Sequence, residues 1–183
     1  MLDHQDLRRL PDGAQAVGDH KGGAVLHQGV QALLDQRFAL RVADLGIKVE
    51  PQEMDASTHT AQQAAGALGC GVEAIVKSLL FVGASGPVLV LASGPNRVDP
   101  DLVAAIVGEP VSMADAKTVK SVTGSSIGGV PPIGHPERIR TIMDQTLLVL
   151  PVVWAAAASQ VSVFPIAPAA LAEVSEATVG RVS

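Results

Sequence analysis

Two apolar segments, residues 76–82 and 88–91, are separated only by Gly83-Ala84-Ser85-Gly86-Pro87. A parallel crossover needs a dozen or more residues, so this spacing makes the two segments run antiparallel. The Gly- and Pro-rich connection predicts a hairpin with a longer loop. The rest of the chain must pack on that pair. Further strand candidates lie at 47–50 (stopped by Pro51), 111–113, 139–143, 147–155 and 161–166, with helical patterns between them. The predicted fold class is α/β of the α+β type: a single domain with a curved, mixed, largely antiparallel sheet surrounded by helices.

The helical signals are local and specific. Val30, Leu33, Leu34, Phe38, Val42 and Leu45 recur at helical spacing, and Gly46 can end that helix. Thr60-Ala61-Gln62-Gln63 fits a capping box ahead of Ala64, Ala65 and Leu68, with Gly69 closing the helix and a short turn at 72–75. Asp99-Pro100 supplies an N-cap and a first-turn proline for a helix ending at Gly108. Residues 114–121 form another short helix, with Asp115 near its start, and 168–174 a last one. Residues 1–28 hold turn formers with little periodicity and read as a loosely structured extension before a domain at 29–183. His4, His20 and His27 fall there without metal-motif spacing, and no internal repeat is evident.

Composition excludes several classes. Thirteen Lys and Arg face eighteen Asp and Glu, a formal charge of −5, which argues against gripping a long stretch of phosphates. Three Phe, one Trp and no Tyr make an aliphatic core and leave too few faces for stacking single-stranded bases. No DNA partner is expected. No run of about 18 apolar residues suggests a membrane span, and the N-terminus lacks a signal-peptide pattern. The single cysteine, Cys70, excludes an internal disulfide and a cysteine zinc cluster, which predicts a reducing, cytoplasmic setting. It follows a helical pattern between two glycines and reads as an incidental thiol rather than a nucleophile.

Chemistry concentrates in few places. Gly128-Gly129-Val130-Pro131-Pro132-Ile133-Gly134-His135 combines residues that admit close approach with residues that fix φ. Its backbone groups can hold a small polar group or a water; an ordinary tight connection is the other reading. His135 suits a general base or donor, or a single structural hydrogen bond. Lys77 interrupts an apolar strand and calls for an anion, a carbonyl or a cavity, unless it lies on the solvent face of an edge strand. Asn96-Arg97 binds an anion or forms a turn, and Asp144 orients a neighbour or sits in a surface turn. Thr123, Ser125 and Ser126 place hydroxyls beside the glycine loop. No nucleophile elbow, dinucleotide fingerprint or Walker loop is present, nor a persuasive Ser-His-Asp set.

These segments together resemble the YbaK/prolyl-tRNA-synthetase-associated editing family over roughly residues 29–180. The resemblance rests on the order and spacing of Thr60-Ala-Gln-Gln-Ala-Ala, Val76-Lys77-Ser78-Leu79, Val122-Thr123-Gly124, the Gly128 to His135 loop and Thr141-Ile142-Met143-Asp144. It implies a compact α/β fold with a central pocket. It implies hydrolysis of the ester joining a small amino acid to the 3′ end of tRNA, by a free-standing enzyme. In that family the lysine matching Lys77 holds substrate. The element from Gly128 (or Gly129) to Pro132 positions the aminoacyl group and the reacting water through backbone groups. The position of His135 varies among relatives.

The expected catalytic set is therefore Lys77, Gly129, Pro132, Gly134 and His135. Substrate binding is expected from Thr123, Ser125, Gly128, Val130, Ile133, Asn96, Arg97 and Asp144, without cofactor or metal. Val130 and Ile133 would admit small side chains and exclude larger ones. The acidic charge suggests that only the 3′ acceptor end of aminoacyl-tRNA is held, with a synthetase or elongation factor supplying further contact. The alternative is a non-enzymatic nucleotide or aminoacyl-ligand module with the same pocket. The feature that separates these readings is Lys77 facing the glycine loop, near Gly129 and His135.

Overall fold

The computed structural model describes residues 38–44, 46, 50–54 and 60–183. The extension at 1–28 and the start of the first expected helix lie outside the described residues. Residues 38–44 are helical, and the Gly46 amide donates to the Ala43 carbonyl at φ 74°.

The strands are β1 (Gln52–Glu53), β2 (Val76–Gly83), β3 (Gly86–Ser93), β4 (Ser112–Met113), β5 (Arg140–Asp144), β6 (Val153–Ala156), β7 (Ser162–Ile166) and β8 (Thr178–Gly180). The helices that follow residues 38–44 are α1 (Ala61–Leu68), α2 (Pro100–Val107), α3 (Ala116–Thr123) and α4 (Pro168–Val174). One sheet has the order β4-β2-β3-β5-β8 and the other β1-β7-β6. Only β3–β5 and β5–β8 are parallel; the other pairs are antiparallel. This is the mixed, largely antiparallel architecture that the short connections require. Among the described residues, a single isolated bridge, Ile75 to Trp154, joins the two ladders.

The β2–β3 hairpin closes more tightly than its sequence suggests. Gly83 pairs with Gly86, leaving only Ala84 and Ser85 in the turn. Gly86 adopts φ 121°, which lets the ladder continue to the turn without strain. β3 is buried on both sides, as expected of a central strand read from a continuous apolar run. Leu89 and Leu91 enter a core with Met143, Leu147, Phe164 and Leu171. Val88, Val90 and Ala92 enter a second with Phe81, Val103 and Ile142. The alternation follows the two-residue period of a strand. Burial of each Leu contributes on the order of 2 kcal/mol.

The helix ends follow their sequence signals. Thr60 accepts from the Gln63 amide at 3.2 Å while Gln63 Oε1 accepts from the Thr60 amide at 3.1 Å, a complete capping box. Asp99 caps α2 ahead of Pro100, and Asp115 caps α3. The expected strand at 147–155 is corrected. Residues Gln145–Val149 form a 3-10 turn, because Asp144 Oδ1 accepts from the Thr146 amide and caps it. Pro151 then interrupts the chain, and the strand begins only at Val153. In the stretch expected as a strand at 47–50, residues 47–49 lie outside the described residues. Glu50 is not in a strand, and pairing begins after Pro51, at Gln52. Among the described residues no helix is long and apolar enough to cross a membrane.

Candidate active site

β4 covers β2 only at Phe81 and Val82, while Ile75 is bridged to β6. The stretch between, Val76 to Leu79, borders a cleft of about 260 Å³ at the seam of the two sheets. Its other walls come from α1 (Thr60, Ala61, Ala64), from Trp154, Ala156 and Val163, and from Ile127, Gly128 and Val130 of the glycine loop. Met54, Ser159 and Gln160 complete it.

Lys77 lines this cleft, and its ammonium donates to the Asn96 carbonyl at 2.5 Å. The Asn96 side chain in turn donates to Asp144 Oδ2 at 2.7 Å and to Thr146 Oγ1 at 3.0 Å. Asp144 is only 1 % exposed, so Asn96 Nδ2 and the Thr146 amide satisfy its carboxylate. Partial burial pulls the Lys77 pKa below the usual lysine value, and the nearby Asp144 charge opposes that shift. The Ser78 hydroxyl, on the same wall, is buried without a partner.

The glycines act for different reasons. Gly124 (φ 75°) ends α3, and Gly128 (φ 87°) turns the loop. Gly129 is constrained by space: a Cβ there would lie 2.6 Å from the Ser159 carbonyl carbon and 2.9 Å from the Gln160 nitrogen. Its amide donates to the Ser126 carbonyl at 2.9 Å. The loop thus lies backbone to backbone against the β6–β7 connection.

The loop is also a partition. Gly128 and Val130 face the Lys77 cleft. Pro132, Ile133, Gly134 and His135 line a different cleft of about 310 Å³, with Arg41, Arg138, Thr141 and Ser175. Lys77 and His135 therefore do not share a cleft, and Ile133 does not stand beside Val130 in one wall. Both His135 ring nitrogens are buried, and the nearby Pro131 carbonyl does not meet either of them with good hydrogen-bond geometry. Burial first, and the Arg41 charge second, push the His135 pKa down to about 4 against a smaller opposing effect of the Pro131 carbonyl. The ring is neutral at pH 7. Arg41 itself donates to the Gly134 carbonyl at 3.0 Å.

The remaining expected site residues divide further. Asn96 and Asp144 join Lys77 through the hydrogen bonds above, while Arg97 is exposed on the loop before α2. Thr123 and Ser125 are buried and engaged locally: Thr123 Oγ1 donates to the Val119 carbonyl and accepts from the Ser125 amide. Cys70 follows α1, where burial raises its thiol pKa, contrary to what a thiolate nucleophile needs. Among the described residues no group of three His, Cys, Asp or Glu side chains stands together as a metal site.

The fold and this cleft define a small α/β domain that offers a ligand a lysine, backbone amides and an apolar wall. Residues 55–174 match the model of the aminoacyl-tRNA editing domain. The chain belongs to that family, and its activity is that of an aminoacyl-tRNA deacylase. It is 32 % identical over 124 residues to the uncharacterized protein YwhH of Bacillus subtilis (strain 168), covering 67 % of this chain and 79 % of that protein. It is 30 % identical over 90 residues to proline–tRNA ligase of Latilactobacillus sakei subsp. sakei (strain 23K), covering 49 % of this chain but 16 % of the ligase. Among solved structures, a candidate trans-editing enzyme for prolyl tRNA synthetase superposes with a TM-score of 0.80 at 38 % identity, covering 82 % of this chain and 96 % of the other. The hypothetical protein APE2540 superposes with a TM-score of 0.74 at 28 % identity, covering 80 % and 98 %.

Proposed function

We propose that hydrolysis takes place in the Lys77 cleft, with the ester of a small amino acid lying between Lys77 and the glycine loop. The observation that carries this reading is the placement of Lys77, Gly128 and Val130 around one cavity. Water attacks the ester carbonyl carbon, and the carbonyl oxygen takes up the developing negative charge. Collapse then breaks the bond to the ribose oxygen, which leaves as the hydroxyl of the terminal adenosine after taking a proton. An aminoacyl ester is already activated, so oriented backbone donors from the Gly128 loop are enough to assist it. Lys77, fixed by the Asn96 carbonyl, holds the substrate by a charge-assisted hydrogen bond.

The apolar wall of Ala61, Ala64, Ile75, Val130 and Val163 receives the amino-acid side chain and limits its size. Ile133 contributes to this sieve only through the loop. A chain of net charge −5 holds the acceptor end rather than the whole tRNA. The matches to prolyl-tRNA ligases support that synthetase as the source of further contact, ahead of an elongation factor.

The test is deacylation of tRNAs charged with Ala, Ser, Thr or Cys, with and without added prolyl-tRNA synthetase. Lys77→Ala is expected to lower turnover at least tenfold, with a smaller effect for His135→Ala; the tenfold scale is roughly that of one oriented polar contact. Wild-type rates in Lys77→Ala would remove the cleft from the reaction.

A further inference from the structure

Gln160 lies in the β6–β7 connection, 33 residues from the glycine loop, and its side-chain amide donates to the Ile127 carbonyl at 2.6 Å. The same side chain covers Gly128: a Cβ on Gly128 would stand 3.5 Å from Gln160 Nε2 and 3.6 Å from its Cγ. One residue further, Gly129 rests on the backbone of Ser159 and Gln160. The connection itself has a set shape. Ala158 adopts φ 67°, and the Ala157 amide donates to the Ser162 carbonyl at 2.8 Å. Gln160, Ile127 and Gly128 all border the Lys77 cleft.

The peptide between Ile127 and Gly128 is planar and trans, so its C=O and N–H point in opposite directions. Fixing the Ile127 carbonyl therefore fixes where the Gly128 N–H points. Among the described residues no hydrogen bond from that N–H is found, and Gly128 borders the cleft.

We infer that Gln160 is a positioning residue for deacylation, holding the Ile127–Gly128 peptide so that the Gly128 amide serves as a donor to the ester carbonyl as negative charge develops on it. This rests on the assignment of the reaction to the Lys77 cleft. Gln160 acts through the peptide, and its own side chain need not touch the substrate. The bond is solvent-exposed, so its contribution to stability is small, whereas the donor it orients acts on the transition state.

The experiment compares wild type with Gln160→Glu, which keeps the shape but presents an acceptor to the Ile127 carbonyl, and with Gln160→Lys, which restores a donor. Steady-state kcat and KM are measured on the mischarged tRNA that wild type hydrolyses, with Tm recorded alongside. The expected result is a kcat about tenfold lower in Gln160→Glu, with KM within twofold, Tm within a few degrees and partial recovery in Gln160→Lys, as for a contact that acts only in the transition state. A kcat within twofold of wild type in Gln160→Glu overturns the inference while leaving the deacylase site intact. So does a kcat loss that merely follows loss of folded protein. Wild type that releases no amino acid from any charged tRNA, with or without the synthetase, overturns both this inference and the site on which it rests.

Discussion

Replacing Gly129 with alanine isolates the contact between the glycine loop and the β6–β7 connection. Gly129 does not occupy the left-handed region, so the substitution brings no φ penalty. The added methyl would meet the Ser159 carbonyl carbon at 2.6 Å, the Gln160 nitrogen at 2.9 Å and Ser159 Cα at 3.0 Å. Ordinary carbon contacts lie near 3.5–4.0 Å, so the two segments must part by roughly 1 Å. All three atoms are backbone, and no rotamer change relieves the clash. Overpacking of this kind costs about 2 kcal/mol, which for a domain this size lowers Tm by about 4–8 °C. Turnover should fall more steeply than stability, because the displaced peptides include the Gly128 donor. Gly66→Ala is the control. Gly66 is exposed in α1 with nothing within 4 Å of its added Cβ, and alanine there should stabilise by about 0.5–1 kcal/mol. Thermal melts and single-turnover deacylation at a temperature where both variants are folded give the two readouts. A Gly129→Ala protein with unchanged Tm and unchanged turnover would refute the reasoning.

Two further predictions concern buried polar groups. The folded-state pKa of His135 is depressed to about 4 from 6.5, so the fold disfavours its charged form. Its full stabilising effect is present above pH 6.5 and is lost as pH falls toward 4, by about 3 kcal/mol in all. His135→Gln should flatten the decline in urea-denaturation stability between pH 7 and 5, and an unchanged slope would exclude His135 as its source. Asp144→Ala removes the acceptor of the Thr146 N–H and one of the two acceptors of the Asn96 amide, at a cost of about 2–3 kcal/mol. It should also raise KM, since Asn96 fixes Lys77; a stability loss with unaltered KM would uncouple Asp144 from the cleft.

Elements governed by short-range chemistry were legible in the sequence. Thr60 with Gln63, Asp99 with Pro100, and Gly108 are decided within a few residues by capping and backbone freedom. The 147–155 stretch was not, because its apolar letters hide the decision of the Asp144 cap to begin a 3-10 turn. β1 and β8, with two and three residues, are too short to show a period. Lys77 was conspicuous as a cation in an apolar strand, and the glycine loop by composition. Two things required the fold. One is that the loop divides two clefts and parts His135 from Lys77. The other is Gln160, whose Ala-Ala-Ser-Gln context carries no signature and whose partner is distant in sequence.

The Ile75–Trp154 bridge has a consequence for how a cleft in this position can diversify. Among the described residues it is the one rung between the ladders, and both of its residues border the cavity. The two ladders are separately hydrogen-bonded and meet at this backbone rung, and the two residues that carry it also line the cavity. A change of side chain at Trp154 or Ile75 therefore alters the wall of the cavity without removing the backbone rung. In the proposed site, the pocket for the amino-acid side chain is thus open to change at positions whose backbone, rather than side chain, joins the two ladders.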